Sequence, residues 1–179
     1  TYADYYHYLT YHPDGPAELE AAVELLTTNE TYFFREEYQL RSFAADVLPQ
    51  LREQLAHRRR LLVWSAGCSS GEEAYTIAIL ILMSGLFQGW DVRIFGSDIS
   101  RRVLSRARAG VYRPSSFRTT APDIIERYFT PAADGYQVNE EVRSLCHFGH
   151  LNLVDSDRIV FLGHADVIFC RNVLIYFNR

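Results

Sequence analysis

Leu61-Leu62-Val63-Trp64-Ser65-Ala66-Gly67-Cys68-Ser69-Ser70-Gly71-Glu72-Glu73-Ala74-Tyr75 is the stretch whose reading decides the fold. Its first four residues form an apolar run of strand length, bounded by arginine on one side and small residues on the other. The loop from Ala66 to Gly71 holds nothing larger than cysteine. A helix follows from Glu72 to about residue 84, with Gly85 as its stop. A second apolar run, residues 92–96, closes on Ser97-Asp98. Strand, small-residue loop, helix and strand within about 38 residues make a βαβ unit, which implies a parallel sheet with a right-handed crossover.

Outward from this unit the pattern changes in both directions. Upstream the chain reads as helical: an aromatic-rich segment to about Pro16, with Tyr2, Tyr5, Tyr6, Tyr8 and Tyr11, is expected to be a helix packed by its tyrosines. A short amphipathic helix over residues 16–26 has acids in its first turn. A longer one over residues 36–59 carries Leu40, Phe43, Val47, Leu48, Leu51 and Leu55 at helical spacing, with Pro49 expected to kink it. Downstream, Ser100 is a good N-cap for a helix through Ala109, and Gly110 ends it. Asp134-Gly135 is a hairpin-type turn signal. Residues 145–153 read as a third strand and 165–170 as a fourth. The fold class is α/β, an open Rossmann-like parallel sheet preceded by a helical lead.

Composition narrows the function. The chain has 179 residues, 48% of them apolar and 22% charged, which fits a single soluble domain with a sizeable core. The net charge of −4 argues against non-specific nucleic-acid binding. All 18 basic residues are arginine, so Schiff-base chemistry and a phosphate-binding lysine are excluded. Cys68, Cys146 and Cys170 cannot all pair within one chain and read as reduced cytoplasmic thiols. The longest apolar run, residues 77–83, is too short to cross a membrane. The six histidines are scattered without metal-ligand spacing.

The loop after the first strand matches two templates. Gly67-Cys68-Ser69-Ser70-Gly71 satisfies the G-x-S-x-G nucleophile elbow, with Ser69 as nucleophile and Asp155, Asp157 or Asp166 with His164 as partners. Against it, no earlier strand is available for the second oxyanion amide, and Glu72-Glu73 places negative charge where an oxyanion would form. The second template is a nucleotide-type cofactor loop, whose small residues admit a ligand to the backbone and to free amides at a helix start. Asp98, at the tip of the second strand, is placed to accept from ribose hydroxyls. Two carboxylates at the helix start suit a sulfonium cofactor better than a pyrophosphate, so S-adenosylmethionine edges ahead of NAD without a decision between them. In a doubly wound sheet the first and fourth strands are neighbours, so Gly67, Asp98, Asn152 and Asn172 converge on one carboxyl edge.

Here the residues resemble a known family, the CheR-type glutamate methyltransferases of bacterial chemotaxis, which use S-adenosylmethionine. Four blocks carry the resemblance: residues 27–35 (TTNETYFFR), residues 64–75 (WSAGCSSGEEAY), Asp98-Ile99 with Leu104, Ala107, Gly110 and Tyr112, and residues 169–177 (FCRNVLIYF). The resemblance implies a class I methyltransferase sheet over residues 61–179, a helical subdomain over 1–60 and a small β insertion at about 129–142. It implies cofactor contacts at Asn29, Thr31, Arg35, Ala66, Glu72, Asp98, Asn152, Leu153, Asn172 and Val173. Arg35 and Tyr176 are implied to lie near the reacting groups. The implied reaction is methyl transfer to glutamate carboxylates on the cytoplasmic domain of methyl-accepting chemotaxis receptors, with S-adenosylhomocysteine as product. Relative to the family the helical region is expected to be incomplete and the last strands of the sheet missing. A catalytically degenerate relative, kept as a binding or signalling module, and a serine hydrolase built on Ser69 are the alternatives. Arg52, Arg58, Arg59 and Arg60 are expected to be a solvated helix end, with a patch complementary to an acidic receptor as the other reading.

Overall fold

The computed structural model describes residues 1–27, 29–155 and 163–177. Helix α1 (Tyr2–Tyr11) is closed by a capping box, in which Thr1 and Asp4 satisfy each other's backbone donors. Helix α2 (Gly15–Leu26) returns against it. Gly15 makes the approach possible, since a Cβ there would lie 2.5 Å from the Leu9 carbonyl oxygen. The expected tyrosine packing is absent: α1 buries no residue, and Tyr2, Tyr6 and Tyr11 stand exposed. An aromatic stripe specifies an apolar face, but α1 packs chiefly beside α2, which leaves most of that face open to solvent.

Helix α3 (Glu37–Ser42) runs through a π-helical turn, Phe43–Val47, into α4 (Leu48–Gln54). The π turn is the physical answer to Pro49, whose ring excludes an α-helical carbonyl four residues back. The Leu48 N–H reaches the Phe43 carbonyl instead. The helix ends at Gln54, short of the expected 59, so Arg58 and Arg59 lie in the turn beyond it. Three of the four arginines there are engaged: Arg52 lies 4.7 Å over the Trp90 ring, Arg58 pairs with Asp166 and Arg60 with Asp91.

The main sheet is parallel, with strand order β6-β2-β1-β7. Strand β1 (Arg60–Ala66) pairs with β2 (Asp91–Asp98) on one side and β7 (Val167–Phe169) on the other, and β6 (Cys146–His150) extends the sheet beyond β2. The expected neighbours across the first strand are therefore in place, with the third and fourth strands shorter than read from sequence. Helix α5 (Glu72–Ser84) crosses over from β1 to β2 and is buried on most of its circumference, with Ile77 and Ile79 at 0% exposure. Helix α6 (Arg101–Ala109) is capped by Ser100, whose side chain accepts from the Val103 N–H, and ends at Gly110 as expected.

A second, antiparallel sheet has the order β3-β5-β4. Strands β4 (Phe129–Ala132) and β5 (Gly135–Val138) form the hairpin signalled by Asp134-Gly135, and β3 (Val111–Tyr112) joins it from outside the expected segment. Helix α7 (Pro122–Tyr128) leads into this hairpin and α8 (Glu140–Arg143) follows it. Phe33 sits at the centre of an aromatic cluster with Tyr112, Phe117 and Phe129, ring centroids 4.8 to 5.0 Å away. That cluster fastens the chain segment before α3 to the small sheet. Among the described residues no helix is long and apolar enough to cross a membrane.

Gly71 shows how tightly the loop of the first βαβ unit is built. It caps α5 at φ +94°, and a Cβ there would lie 2.8 Å from the Ala107 Cβ and 3.0 Å from the Tyr112 hydroxyl. Strained backbone and overpacking together predict that Gly71→Ala destabilises the fold by about 1–3 kcal/mol. A urea titration reads this as a lower midpoint at unchanged slope.

Candidate functional site

The carboxyl edge of the main sheet opens into a cleft of about 680 Å³. After β1 the chain turns sharply at Gly67, φ +73°, and the N–H groups of Gly67 and Cys68 both donate to the Ser97 carbonyl at 2.8 and 2.9 Å. Only glycine fits there, because a Cβ would lie 2.4 Å from Val173 Cγ2. Ser69 follows with a left-handed φ of 49°. Its N–H donates to Asp98 Oδ2 at 2.8 Å, while Asp98 Oδ1 accepts from the Ser100 N–H at 2.9 Å. Burial pushes the Asp98 carboxyl up, and the backbone N–H groups aimed at it oppose that shift.

The segment from Asn29 to Glu36 forms another wall. The Arg35 guanidinium donates to the Glu30 carbonyl at 2.6 Å and lies 5.7 Å from the Tyr32 ring centroid. Arg118 covers the same ring at 3.7 Å and pairs with Glu30 at 3.0 Å. Past β6, Leu151 donates its N–H to the Asp98 carbonyl, and the Asn152 side chain accepts from the Val154 N–H. Val23 and Leu26 of α2 supply apolar surface at the mouth.

Of the residues expected at the site, Asn29, Thr31, Arg35, Asp98, Asn152, Leu153, Asn172 and Val173 all line this cleft. Ala66 and Glu72 are not among the lining residues. Glu72 is 3% exposed and accepts from the Ser70 and Ser116 hydroxyls, so its carboxylate is spent inside the protein. Its neighbour Glu73 lines the cleft instead and is held by the Ser65 hydroxyl at 2.7 Å and by Arg171 at 3.2 Å. Desolvation raises both carboxyls. Sequence reasoning also passed over Tyr32 and Arg171; a charged residue directly after a buried strand was the available signal for the latter. Tyr176 belongs to a short 3-10 turn, Leu174–Tyr176, and its side chain lies outside the described residues, as does Asp157.

The nucleophile-elbow template finds little here. The Ser69 hydroxyl donates to the Asn29 carbonyl at 3.5 Å, and among the described residues no histidine is recorded as its partner. Asp166, one candidate third member, is engaged by Arg58 and by the Leu62 N–H.

Opposite electrostatics within one wall give a pH test. Glu36 is held below its ordinary value of 4.5, chiefly by the Asn172 amide, with burial opposing and Arg171 and Arg35 assisting. Its stabilisation is therefore full above pH 4.5 and lost as pH falls through the lowered value. Glu73 is raised by burial, so its ionisation opposes folding above its raised value and that penalty fades as pH falls towards 4.5. Urea midpoints between pH 3 and 6 should show a shallower acid limb for Glu36→Gln and a steeper one for Glu73→Gln.

Comparison with known proteins identifies the family. The family described as "CheR methyltransferase, SAM binding domain" matches residues 29–179. Chemotaxis protein methyltransferase 2 of Vibrio cholerae is 37% identical, covering 99% of this chain and 62% of that protein. The chemotaxis protein methyltransferase of Vibrio parahaemolyticus is 41% identical over 88% of this chain and 58% of its own length. That of Salmonella typhimurium is 38% identical over 91% and 55%. The chain spans about three fifths of the length of these relatives. With the family match running from the Asn29 wall through the last described residue of the cleft, the chain belongs to the CheR methyltransferase family, and the matched region is the family's S-adenosylmethionine-binding domain.

Proposed function

We propose that the protein transfers a methyl group from S-adenosylmethionine to glutamate side chains of methyl-accepting chemotaxis receptors, acting on their cytoplasmic domains from the cytoplasm. The observation that carries this reading is the meeting of Asp98 and Arg35 in one cleft within the matched region. The residues suit the cofactor. The Asp98 carboxylate accepts from backbone N–H groups that include those of Ser69 and Ser100 and keeps acceptor capacity for a ribose hydroxyl. Glu73 lines the cleft with its carboxylate held by Ser65 and Arg171, and Asn29, Thr31, Asn152, Leu153, Asn172 and Val173 supply polar and apolar walls. In this reading Glu73 takes the place at the cofactor that the family pattern assigns to Glu72.

The bound cofactor would supply a methyl group on a positively charged sulfur, open to attack by an oxygen on the far side. The protein's own task is alignment. A glutamate carboxylate is already ionised near pH 7, so no side chain need remove a proton. Arg35, at the cleft wall, steers the incoming carboxylate by a charge-assisted hydrogen bond. Valine, leucine and aromatic side chains also line the cleft, and an apolar wall favours a reaction in which opposite charges are neutralised. Tyr176 is assigned to the transfer path on the family pattern.

Two measurements test this. Titration with S-adenosylhomocysteine should give saturable binding in the wild type, weakened about 30- to 100-fold in Asp98→Ala, as expected for losing a buried acceptor of roughly 2–3 kcal/mol. Incubation of the protein with a receptor cytoplasmic fragment and methyl-labelled cofactor should yield label released as methanol by mild base, the signature of a carboxyl ester. Arg35→Ala should lose at least tenfold in that transfer while keeping S-adenosylhomocysteine affinity within about threefold. Binding without any base-labile methyl transfer in the wild type would sink the enzymatic reading in favour of a binding module.

A further inference from the structure

Arg35 sits in an improbable piece of backbone. Phe34 and Glu36, on either side of it, both occupy the left-handed region at φ 58° and 56°, and neither is glycine. Such residues cost about 1 kcal/mol or more each and persist only where the surroundings over-determine them. Phe34 is fixed on its own side: its N–H donates to the Thr76 hydroxyl, and Phe33 before it is fully buried. The other side is held by two adjacent residues from the far end of the chain.

The first is Arg171, the second position past β7. Its Nη2 donates to the Arg35 carbonyl oxygen at 2.6 Å and lies 3.4 Å from Glu36 Oε2. Its Nη1 donates to Glu73 Oε2 at 3.2 Å. Asn172 adds its amide to Glu36 Oε1 at 3.2 Å, and Arg35 Nε lies 3.9 Å from the same oxygen. The Arg171 side chain is 11% exposed. One planar guanidinium therefore spans three acceptors on two elements, the Arg35-Glu36 turn and the first turn of α5. A lysine, as a single point charge, could not hold all three.

We propose that Arg171 is a positioning residue for the transfer reaction: it locks the Arg35-Glu36 turn to α5 and so sets where the Arg35 guanidinium stands in the cleft. Its contribution to turnover runs through Arg35, an inference that rests on the methyl-transfer reading above. Asn172 then serves the same lock through Glu36, in addition to any contact it makes with the cofactor.

The test is a cycle of Arg171→Met, Arg35→Ala and the double variant, with turnover counted per site that binds S-adenosylhomocysteine. Arg171→Met should lower the turnover number about tenfold, in line with a small misplacement of an aligning group. The KM for cofactor should stay within about threefold, and Arg171→Lys should recover part of the loss. In the Arg35→Ala background the same change should cost less than about twofold. Losses that multiply in the double variant, or turnover per site equal to wild type in Arg171→Met, would overturn the proposal. Amide hydrogen exchange gives a readout free of activity: residues 34–37 should exchange at least about tenfold faster in Arg171→Met, with the amides of β1 and α5 unchanged. Unaltered exchange at 34–37 also overturns it. A wild type that turns nothing over, yet shows the exchange effect, counts against the methyl-transfer reading and leaves the lock supported.

Discussion

Strand β1 is paired in parallel on both sides, with β2 through seven register positions and with β7 through three. Parallel partners on both flanks require the chain to leave β1 at its carboxyl end and return twice to the opposite edge. Every loop that follows β1, β2 and β7 is thereby delivered to one edge of the sheet. The cleft is the consequence: Gly67 leaves β1, Asp98 ends β2 and Asn172 follows β7, and all three line the same space. The Gly67 contact with Val173 is the closest expression of this constraint, since two loops meet at a spacing that leaves no room for a methyl group.

Because the loops converge, strain converges with them. Ser69 and Asn172, which line the cleft, and Phe34 and Glu36, which flank Arg35, have positive φ without being glycine; among the described residues Arg59 is the other, in the turn before β1. Backbone in this region persists when hydrogen bonds and packing fix it from several directions. Here the fixing partners are distant in sequence: Thr76 for Phe34, Asp98 for Ser69, Arg171 for Arg35 and Glu36. The fold, and not the local segment, decides the backbone of the site.

That division explains what the sequence revealed. Residues 61–98 declare a βαβ unit through periodicity and glycine placement, both local signals, and the strand order follows from the rules that govern parallel crossovers. Ser100 and Gly110 mark the ends of α6 for the same local reason. Pro49 signals a break, but a π turn is one of several ways to accommodate it. The exposed tyrosines of α1 were illegible because an aromatic face does not say what will cover it. Glu72 and Glu73 are adjacent in the sequence and about 100° apart around a helix. Which of them faces the cleft depends on where Ser116 and Ser65 stand, and no window around the helix contains Ser116. Arg171 was missed for a like reason, since its partners lie 98 to 136 residues away.

The charge arrangement has a logic of its own. Asp98 and Glu73 put carboxylates on the cleft wall, while Arg35 puts a guanidinium there. In the proposed reaction the Arg35 guanidinium would draw the anionic acceptor, and Asp98 would take the cofactor's ribose. The two arginines that line the cleft differ in freedom. Arg171 is committed to Glu73 and Glu36, so its charge is neutralised before any substrate arrives. Arg35 has a carbonyl oxygen at hydrogen-bond distance and only a long contact to Glu36, so most of its attraction for a carboxylate is unspent. An arginine whose two terminal nitrogens are both taken by carboxylates has little left there to offer a ligand, whereas one held mainly through its backbone keeps its donors. Restraining the Arg35 main chain through Arg171, instead of pairing its side chain, is how the fold can fix that guanidinium and leave it available.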